Sequence, residues 1–198
     1  MKLILARHGE TDWNVAKKIQ GVTDTDLNEN GRRQAKELAE AVIAGNLDIT
    51  AIYSSHLKRA AQTAACVADA LNLPYHTMED LQELNFGKWE GNSWHEVKER
   101  YPEEFGVWYT NRRYTPAPDG ESYQQMLERL LPALQDILHR ERGNVLVVIH
   151  SAEIVAFQAA LHDTSFQTMA KDYPIGNAQT VEFDGEQILN MKLEREPD

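Results

Sequence analysis

The sequence of 198 residues contains a single cysteine, Cys66, and no long apolar segment. One cysteine excludes a disulfide within the chain, and the position of Cys66 among alanines predicts a small buried residue. The apolar run near the N-terminus is short and is interrupted by Arg7, so it is typical neither of a signal peptide nor of a membrane span. We therefore expect a cytoplasmic protein that does not bind membranes.

Positive charge is also scarce. The chain has 20 Lys and Arg against 31 Asp and Glu, which gives a formal net charge of −11. Binding to nucleic acid requires clustered cations, and the sequence has no run of them, so we expect no nucleic-acid partner. An anionic substrate is not excluded, because charges beyond about a Debye length, roughly 8 Å at physiological salt, are screened. A local group of arginines can still form a positive pocket.

The residues with chemical potential begin at the end of the first apolar run. Leu3 to Ala6 is followed by Arg7, His8 and Gly9. This pattern predicts a buried strand of a parallel sheet, and ligands bind beyond the carboxyl ends of such strands. A neutral imidazole is a competent nucleophile, and a guanidinium binds phosphate. A histidine that only hydrogen-bonds the backbone fits these three residues equally well.

A second strand ends in the same way. The most apolar run of the chain, over residues 144–149, is followed by His150 and then by Ser151, which we expect to cap a helix over 152–161. Because the carboxyl ends of parallel strands meet at one edge of a sheet, both histidines should lie at the same edge.

The remaining pattern alternates strands with helices, which predicts an α/β fold. Asn28 is a typical N-cap for a helix that ends at Ala44, and Ser54 with Ser55 should cap the next helix. Arg59 falls in the first turn of that second helix, just past a strand end, where ligands bind. The alternative interpretation is that Arg59 is a solvated surface arginine. Further predicted elements are strands over 50–53 and 75–78, a helix over 122–142, and a terminal hairpin of strands 180–183 and 187–193.

Residues 81–120 are irregular and rich in aromatic side chains. We interpret most of this stretch, residues 84–120, as an insertion over one end of the sheet. Its aromatic rings either line a pocket or form a peripheral cluster, and the sequence leaves both open. Arg112 and Arg113 in this stretch are candidates for binding a second anionic group of a substrate, although arginines beside a loop are more often solvated.

Several motifs together resemble, in identity and order, those of the histidine phosphatase superfamily, the phosphoglycerate mutase-like family. They are Arg7-His8-Gly9-Glu10-Thr11, Trp13-Asn14, Gln20-Gly21, Ser54-Ser55, Arg59-Ala60, Gln62-Thr63-Ala64, Glu83, Phe86-Gly87, Glu90-Gly91, Asp119-Gly120-Glu121-Ser122 and His150. The resemblance covers residues 1–198 as a single domain. It implies a three-layer αβα sandwich with a mostly parallel central sheet, an antiparallel strand at the edge, and a helical insertion over the active-site end.

The resemblance also implies a site and a reaction. His8 matches the nucleophile that becomes phosphorylated, Glu83 the proton donor, and His150 a second catalytic histidine in the phosphate pocket. Other matches are Arg7, Asn14 and Arg59 for the phosphate and Gln20 with Gly21 for the substrate. Ser151 offers a helix N-terminal amide, which favours an anion on physical grounds alone. The expected partner is a small phosphorylated substrate; no metal or other cofactor is expected, and a homodimer is possible.

Two local features of the sequence bear on which members of that family the chain resembles. The residues after Glu83 fit the phosphatase branch, while a cofactor-dependent mutase and a phosphate-binding module without turnover stay as alternatives. Where the family usually has glycine, or serine and then glycine, after its second histidine, this chain has Ser151-Ala152-Glu153. A glutamate in the first turn stabilises a helix, and the alternative is that Glu153 weakens the binding of multiply anionic substrates.

Overall fold

The computed structural model describes residues 1–194. The strands are β1 (Lys2–Arg7), β2 (Ile49–Ser55), β3 (Tyr75–Met78), β4 (Asn144–Ile149) and β5 (Thr180–Asp184). The helices are α1 (Asp12–Val15), α2 (Glu29–Ala44), α3 (Lys58–Leu71), α4 (Trp94–Arg100), α5 (Pro102–Thr110), α6 (Tyr123–Arg140), α7 (Ser151–Leu161), α8 (Met169–Asp172) and α9 (Gly185–Asn190). No helix in the described range is both long and apolar enough to cross a membrane.

The five strands form one sheet in the order β3-β2-β4-β1-β5. All neighbours are parallel except β5, which pairs antiparallel with β1 at one edge. The predicted mostly parallel sheet with an antiparallel edge strand is therefore confirmed. In the register of β1 and β4, Arg7 lies opposite Ile149. The residues that follow them, His8 and His150, consequently leave the sheet side by side.

Helices cover both faces of this sheet, as the predicted three-layer sandwich requires. Successive side chains of a strand point to opposite faces, so Leu3 and Leu5 pack in the cluster that contains α6, α7 and α9. Ile4 and Ala6 pack in the cluster that contains α2 and α3. Each fully buried Leu or Ile contributes about 1.5–3 kcal/mol relative to an exposed one. The apolar run in β1 thus stabilises both layers and fixes the position of His8.

Asn28 caps α2 as predicted, whereas the predicted cap of α3 is wrong. Ser54 and Ser55 belong to β2, which continues to pair with β3 through Ser55. Helix α3 begins only after Leu57, which makes no side-chain cap. The hydroxyl of Ser55 instead accepts a hydrogen bond from the Leu57 amide at 3.2 Å. The pairing of the two strands therefore outweighs the local capping preference of serine.

The terminal hairpin predicted from the Asp-Gly pair is also wrong. β5 is present, but the chain then forms α9 instead of a second strand. The side chain of Asp184 accepts a hydrogen bond from a backbone amide two residues later, which starts a helix. Ile188 is fully buried in the core beside α6, and Gln135 of α6 donates to its carbonyl oxygen at 3.0 Å. Contacts with α6 therefore decide the structure of this segment.

The aromatic rings of residues 81–120 form a cluster of their own, and some of them also line a pocket, so both interpretations of this stretch hold. Trp89 and Trp108 are buried and meet edge to face with ring centroids 5.3 Å apart, and Phe105 packs against both. Phe86 and Trp94 line a cavity that also contains His8. The segment over the end of the sheet therefore has its own aromatic core and presents two rings to this cavity.

Cys66 is only partly buried, so the prediction of a buried cysteine is wrong. The buried stripe of α3 includes Ala60, Ala64 and Val67, and Cys66 lies beside that stripe rather than on it. Partial burial raises the pKa of the Cys66 thiol. A raised pKa keeps the sulfur in its less reactive thiol form at neutral pH.

Candidate functional site

His8 is the first residue after β1, and its side chain lines a cavity of about 310 Å³. The ring nitrogen Nδ1 lies 2.6 Å from the carbonyl oxygen of Gly9. Because a carbonyl oxygen only accepts hydrogen bonds, Nδ1 carries the proton and Nε2 keeps its lone pair. Burial and the charges of Arg59 and Arg7 hold the pKa of His8 well below its usual value. The ring is therefore neutral at neutral pH, as a nucleophile must be.

The loop after β1 is held by close backbone contacts. A side-chain carbon on Gly9 would lie 2.5 Å from the carbonyl oxygen of Gly31, and one on Gly31 would lie 2.0 Å from that of Glu10. The amide of Gly9 also donates to the hydroxyl of Thr63 at 3.0 Å. Only glycine permits this approach, so the start of α2 and the side of α3 together fix the backbone next to His8.

Two arginines lie beside His8. Arg7 donates through Nη1 to the carbonyl oxygen of Ile175 at 2.8 Å. Arg59 donates to the carbonyl oxygens of Thr23 and Gly21 at 2.8 and 2.6 Å. These neutral acceptors hold the guanidinium groups in place and leave their charges unpaired. Arg59 is fully buried, so its alternative interpretation as a solvated surface arginine is wrong.

His150 follows β4 and lies next to His8, with ring centroids 5.2 Å apart. Its ring is fully buried, and burial together with Arg59 holds its pKa well below the usual value. Within residues 1–194, neither ring nitrogen of His150 has a hydrogen-bond partner, and the same is true of Nε of Arg7 and of Arg59. An unsatisfied buried polar group costs about 1–3 kcal/mol. Arg7 and Arg59 line the cavity, so their charges suit an anionic ligand.

Glu83 lines the same cavity as His8 and is almost completely buried. Its Oε1 accepts a hydrogen bond from the Leu84 amide at 2.9 Å, and its Oε2 accepts one from the Ala152 amide at 3.3 Å. Burial raises the pKa of Glu83 in spite of these amides and of Arg59, which act in the opposite direction. A carboxyl group with a raised pKa close to a nucleophile is suited to donate a proton.

Asn14, Gln20 and Gly21 also line the cavity. The Oδ1 atom of Asn14 accepts a hydrogen bond from the Thr11 amide at 3.0 Å. The Oε1 atom of Gln20 accepts from the hydroxyls of Thr11 and Thr25 at 2.8 and 2.7 Å. Both side-chain oxygens are thus occupied, so the NH2 groups are the ends left to donate to an anion.

Glu90 holds the loop over residues 20–23 in place. The sequence analysis named Glu90 only as part of the Glu90-Gly91 motif. Its two carboxylate oxygens accept hydrogen bonds from the amides of Val22 and Thr23 at 2.9 and 3.0 Å. Gly21 has a φ of +52°, and a side-chain carbon there would lie 1.9 Å from the Glu90 carboxylate. The loop that meets the cavity is therefore specified by a glycine and a partly buried acceptor.

Helix α7 begins one residue earlier than predicted, since Ser151 was expected to be its cap. The N-cap is His150, and Ser151 is the first helical residue, although Ser151 does line the cavity as expected. Glu153 is fully buried, and its Oε2 accepts a hydrogen bond from the His150 amide at 3.3 Å. This contact matches the interpretation of Glu153 as a residue that stabilises the helix start. Glu153 does not line the cavity, so direct contact with a bound substrate is not its role.

Arg112 and Arg113, both candidates for binding a second anionic group, have different environments, and neither is a fully solvated arginine. Arg112 lines the cavity, is 9% exposed, and donates through Nε to the carbonyl oxygen of Phe166 at 2.6 Å. Its guanidinium carbon lies 5.6 Å from the centre of the Trp108 ring. Arg113 points elsewhere and pairs with Glu194 at 3.2 Å. Of the two arginines, only Arg112 is placed to meet a ligand in the cavity.

Two residues that the sequence analysis missed hold the site together. Asn177 donates through Nδ2 to the carbonyl oxygen of His8 at 3.1 Å and to Oδ1 of Asn14 at 3.3 Å. Arg129 on α6 donates to the backbone carbonyl oxygen of Glu83 at 3.2 Å. Asn177 lies in an irregular segment and Arg129 on an otherwise ordinary amphipathic helix. Neither has a local signal, because their partners are distant in sequence.

The arrangement contains the parts needed to transfer a phosphoryl group. A neutral histidine lines a cavity together with two arginines, and a buried carboxyl group lines the same cavity. Within the described part of the chain, no three His, Cys, Asp or Glu side chains are grouped as metal ligands would be. All nine residues predicted for the site lie at this edge of the sheet, and eight of them line the cavity. His150 is the exception, and its ring packs against that of His8.

Comparisons with known proteins agree with this geometry. The family model of the histidine phosphatase superfamily (branch 1) matches residues 3–189. Phosphoserine phosphatase 1 from Hydrogenobacter thermophilus is 37% identical over 162 residues, which cover 81% of this chain and 76% of that protein. The 6-phosphofructo-2-kinase/fructose-2,6-bisphosphatase 3 from Bos taurus is 36% identical over 167 residues, which cover 84% of this chain. This chain spans 34% of the length of that second relative.

A solved structure shows the same similarity. The phosphoserine phosphatase from Entamoeba histolytica, in complex with 3-phosphoglyceric acid, has a TM-score of 0.80 to this chain. The two are 34% identical, and the match covers 92% of this chain and 90% of the other. The similarity therefore extends over nearly the whole of both folds.

Proposed function

The chain belongs to the histidine phosphatase superfamily and is a phosphatase of that family, and from this premise we propose that it hydrolyses small phosphomonoesters without a metal, through a phosphohistidine on His8. The observation that carries the proposal is that a neutral His8, the guanidinium groups of Arg7 and Arg59 and the buried carboxyl group of Glu83 line one cavity. A phosphoryl group has three peripheral oxygens and negative charge, which two guanidinium groups can bind.

In the first step, Nε2 of His8 attacks phosphorus in line with the ester oxygen, a P–N bond forms, and the P–O bond to the leaving group breaks. Arg7, Arg59 and the NH2 group of Asn14 hold the peripheral oxygens and offset the charge that develops on them. Glu83 gives its proton to the departing oxygen. The leaving group departs as an alcohol, and Glu83 becomes a carboxylate.

In the second step, the carboxylate of Glu83 takes a proton from a water molecule that attacks the phosphohistidine. The P–N bond breaks, inorganic phosphate forms, and His8 returns to its neutral state. The amide of Ser151 keeps the phosphoryl group in place during both steps, since a helix N-terminus favours an anion. The ring of His150 packs against that of His8. Glu83 has its proton again, and the cycle is closed.

The predicted pH dependence of kcat/KM is a broad bell. Below the pKa of His8 the ring is protonated and does not attack, and because that pKa is lowered, the acid limb lies below the usual histidine value. Above the pKa of Glu83 the proton donor is lost, and because that pKa is raised, the alkaline limb lies above the usual glutamate value. Rates of phosphate release measured over the whole pH range test the predicted positions of both limbs. A rate that rises steadily into alkaline solution would contradict the role of Glu83.

We further propose that the substrates carry a second anionic group. Arg112 places an otherwise buried guanidinium on the cavity wall, and its Nε is already held by a backbone carbonyl. This contact does not engage its two Nη groups, which can pair with a carboxylate or phosphate. The names of the relatives support this proposal, since phosphoserine carries a carboxylate and 3-phosphoglyceric acid does as well.

Removing the guanidinium should change specificity more than chemistry. We expect Arg112→Ala to lower kcat/KM for phosphoserine and 3-phosphoglycerate by about 10- to 100-fold, the value of a charge-assisted hydrogen bond. Hydrolysis of p-nitrophenyl phosphate, which has no second anionic group, should change little. Arg113→Ala is the matched control, because it removes the neighbouring charge outside the cavity. An equal loss for both kinds of substrate would show that Arg112 has only a structural role.

The experiment that tests the proposed function is a substrate panel measured by release of inorganic phosphate with a chelator present. It contains p-nitrophenyl phosphate, phosphoserine, 3-phosphoglycerate, fructose bisphosphates and α-ribazole phosphate. Release that resists the chelator supports a metal-independent phosphatase and ranks its substrates. Isomerisation of 3-phosphoglycerate after addition of a bisphosphate primer, without phosphate release, would favour a mutase. Phosphate binding without either reaction would favour a module that lacks turnover.

The organisation of the whole protein is also a proposal. We propose one domain over residues 1–198, in which residues 84–120 form a cap above the cavity. The cap contributes Phe86, Trp94 and Arg112 to the cavity wall, which supports this division. A cytoplasmic location and a homodimer stay predictions.

A further inference from the structure

Glu83, the proposed proton donor, lies on a segment that the sheet does not hold. His8 and His150 directly follow the central strands β1 and β4, so the sheet fixes their positions. Glu83 instead lies between one short 3₁₀ turn over residues 79–81 and another over residues 87–89. An irregular segment keeps a single position only through specific contacts. The structure supplies these contacts from α6 and from the loop before it.

Arg129 on α6 binds this segment at two backbone carbonyl oxygens. Its Nη1 donates to the carbonyl oxygen of Asp80 at 2.9 Å, and its Nη2 donates to that of Glu83 itself at 3.2 Å. Met126 and Leu130, which lie close to Arg129 on the helix, are fully buried, so core packing holds this part of α6 in place. The donors of a guanidinium have a fixed geometry. Arg129 therefore ties the backbone of Glu83 to a well-packed helix.

Glu121, two residues before α6, completes this contact. Its Oε2 accepts a hydrogen bond from Nε of Arg129 at 3.1 Å, and its Oε1 accepts one from Nη2 at 2.6 Å. Oε1 also accepts from the Asn85 amide at 2.9 Å, and the Glu121 amide donates to the Asn85 carbonyl oxygen at 2.9 Å. Two parallel hydrogen bonds add geometric specificity to an arginine–carboxylate pair. The segment is thus held on both sides of Glu83.

Two glycines allow the loop before α6 to come this close. A side-chain carbon on Gly120 would lie 2.3 Å from the carbonyl oxygen of Asn85. One on Gly87, whose φ is +51°, would lie 2.1 Å from the carbonyl oxygen of Pro118. Glycine alone permits both the approach and the positive φ. The backbone after Glu83 therefore packs directly against the backbone that carries Glu121.

The charge of Arg129 is used within this contact. The side chains of Arg129 and Glu121 are only 17% and 18% exposed, so their pair is largely sheltered from water. Glu153 lies 3.8 Å from Nη1, beyond hydrogen-bond distance, and burial raises its pKa well above the usual value, so it keeps its proton. The carboxyl oxygens of Glu83 accept from two backbone amides rather than from Arg129. Arg129 therefore acts on the position of Glu83 through its backbone.

On the basis of the proposed function, we propose that Arg129 and Glu121 are positioning residues for the proton donor, which hold the backbone around Glu83 so that its carboxyl group meets the leaving oxygen. Neither residue lines the cavity, so neither touches the substrate. Their effect is confined to the steps that move a proton through Glu83. These are protonation of the leaving oxygen and deprotonation of the attacking water. A displacement of about 1 Å in such a group costs about 10²-fold in rate.

The test is Arg129→Met, which keeps the length of the side chain and removes its donors. We expect kcat/KM for the best alkyl phosphate of the substrate panel to fall by about 10- to 100-fold. The p-nitrophenolate burst with p-nitrophenyl phosphate should change by less than about threefold, because this leaving group departs without a proton. Arg140→Met is the matched control, since it removes an exposed arginine of the same helix that pairs with Asp136. It should leave both rates unchanged.

Arg129→Lys separates the position of Glu83 from the charge of Arg129, and it decides the question if Arg129→Met does not fold. Lysine keeps the charge, but one ammonium does not span two carbonyl oxygens and Glu121, so we expect the same selective loss. In Glu83→Gln the further change Arg129→Lys should cost less than about threefold with the alkyl phosphate, because the proton donor is already absent. Full activity of Arg129→Lys, or additive losses in the double variant, would overturn the positioning role.

Comparison with Glu83→Gln separates this inference from the proposed function. If Glu83→Gln loses activity selectively with alkyl phosphates while the Arg129 variants lose it equally with both leaving groups, the positioning role alone is overturned. If Glu83→Gln itself shows no dependence on the leaving group, the proposed role of Glu83 is wrong and this inference falls with it. An unaltered protein that releases no phosphate from any substrate would overturn the whole proposed function.

Discussion

Replacing His8 by alanine is expected to abolish phosphate release from every substrate. Uncatalysed hydrolysis of phosphate monoesters is so slow that enzymes accelerate it by up to about 10²¹-fold, and most of that depends on a nucleophile held in line. Alanine removes the neutral imidazole, whose Nε2 keeps its lone pair in a cavity that Arg7 and Arg59 also line. We expect kcat to fall by at least about 10⁴-fold, as when a catalytic nucleophile is removed from other enzymes.

The measurement is phosphate release under saturating substrate, together with trapping of the acid-labile phosphohistidine in the unaltered protein. Phosphate binding should persist in His8→Ala, because the arginines are held by the backbone of residues 21, 23 and 175 rather than by His8. His139→Ala, an exposed histidine on α6, serves as the control. If His8→Ala retained a substantial fraction of the activity, the phosphohistidine mechanism would be excluded.

The central part of the fold and the position of the nucleophile follow from short-range patterns. The apolar runs before His8 and His150 are long enough to predict strands, and the rule that ligands bind at strand ends places both histidines at one edge. Their neighbouring positions in the sheet depend on strand order, which a sequence does not display directly. The resemblance to a family placed His8 and His150 in one phosphate pocket without giving the strand order, and the parallel pairing of β1 with β4 agrees with that placement.

Other features depend on contacts between distant segments, and these are where prediction failed. The Asp-Gly pair at residues 184–185 has the local chemistry of a hairpin turn, but packing of Ile188 beside α6 makes the following residues helical. Arg112 looks like a surface arginine in sequence, and only the approach of Phe166 and Trp108 buries it. The same applies to Asn177, whose function as a support of His8 depends on a contact across 169 residues.

Glu83→Gln should give the second large effect, and its size should depend on the leaving group. General acid catalysis contributes about 10²- to 10⁴-fold, so we expect a loss of that order in kcat/KM for phosphoserine or 3-phosphoglycerate, whose alkoxide needs a proton to depart. p-Nitrophenolate is a stable anion that leaves unaided, so phosphorylation of His8 by p-nitrophenyl phosphate should be much less affected. Rapid-mixing measurement of the p-nitrophenolate burst separates this step from hydrolysis of the phosphohistidine.

The second step supplies the control for that comparison. Glutamine cannot take a proton from water, so dephosphorylation of His8 should slow even when the first step does not, and the phosphohistidine should accumulate after the burst. Glu128→Gln, an exposed change of equal charge on α6, should leave both steps unchanged. Equal losses for alkyl and aryl substrates in the first step would instead mean that Glu83 acts on the position of His8 or of the phosphate. The burst therefore distinguishes proton transfer at Glu83 from a purely structural effect of its burial against α7.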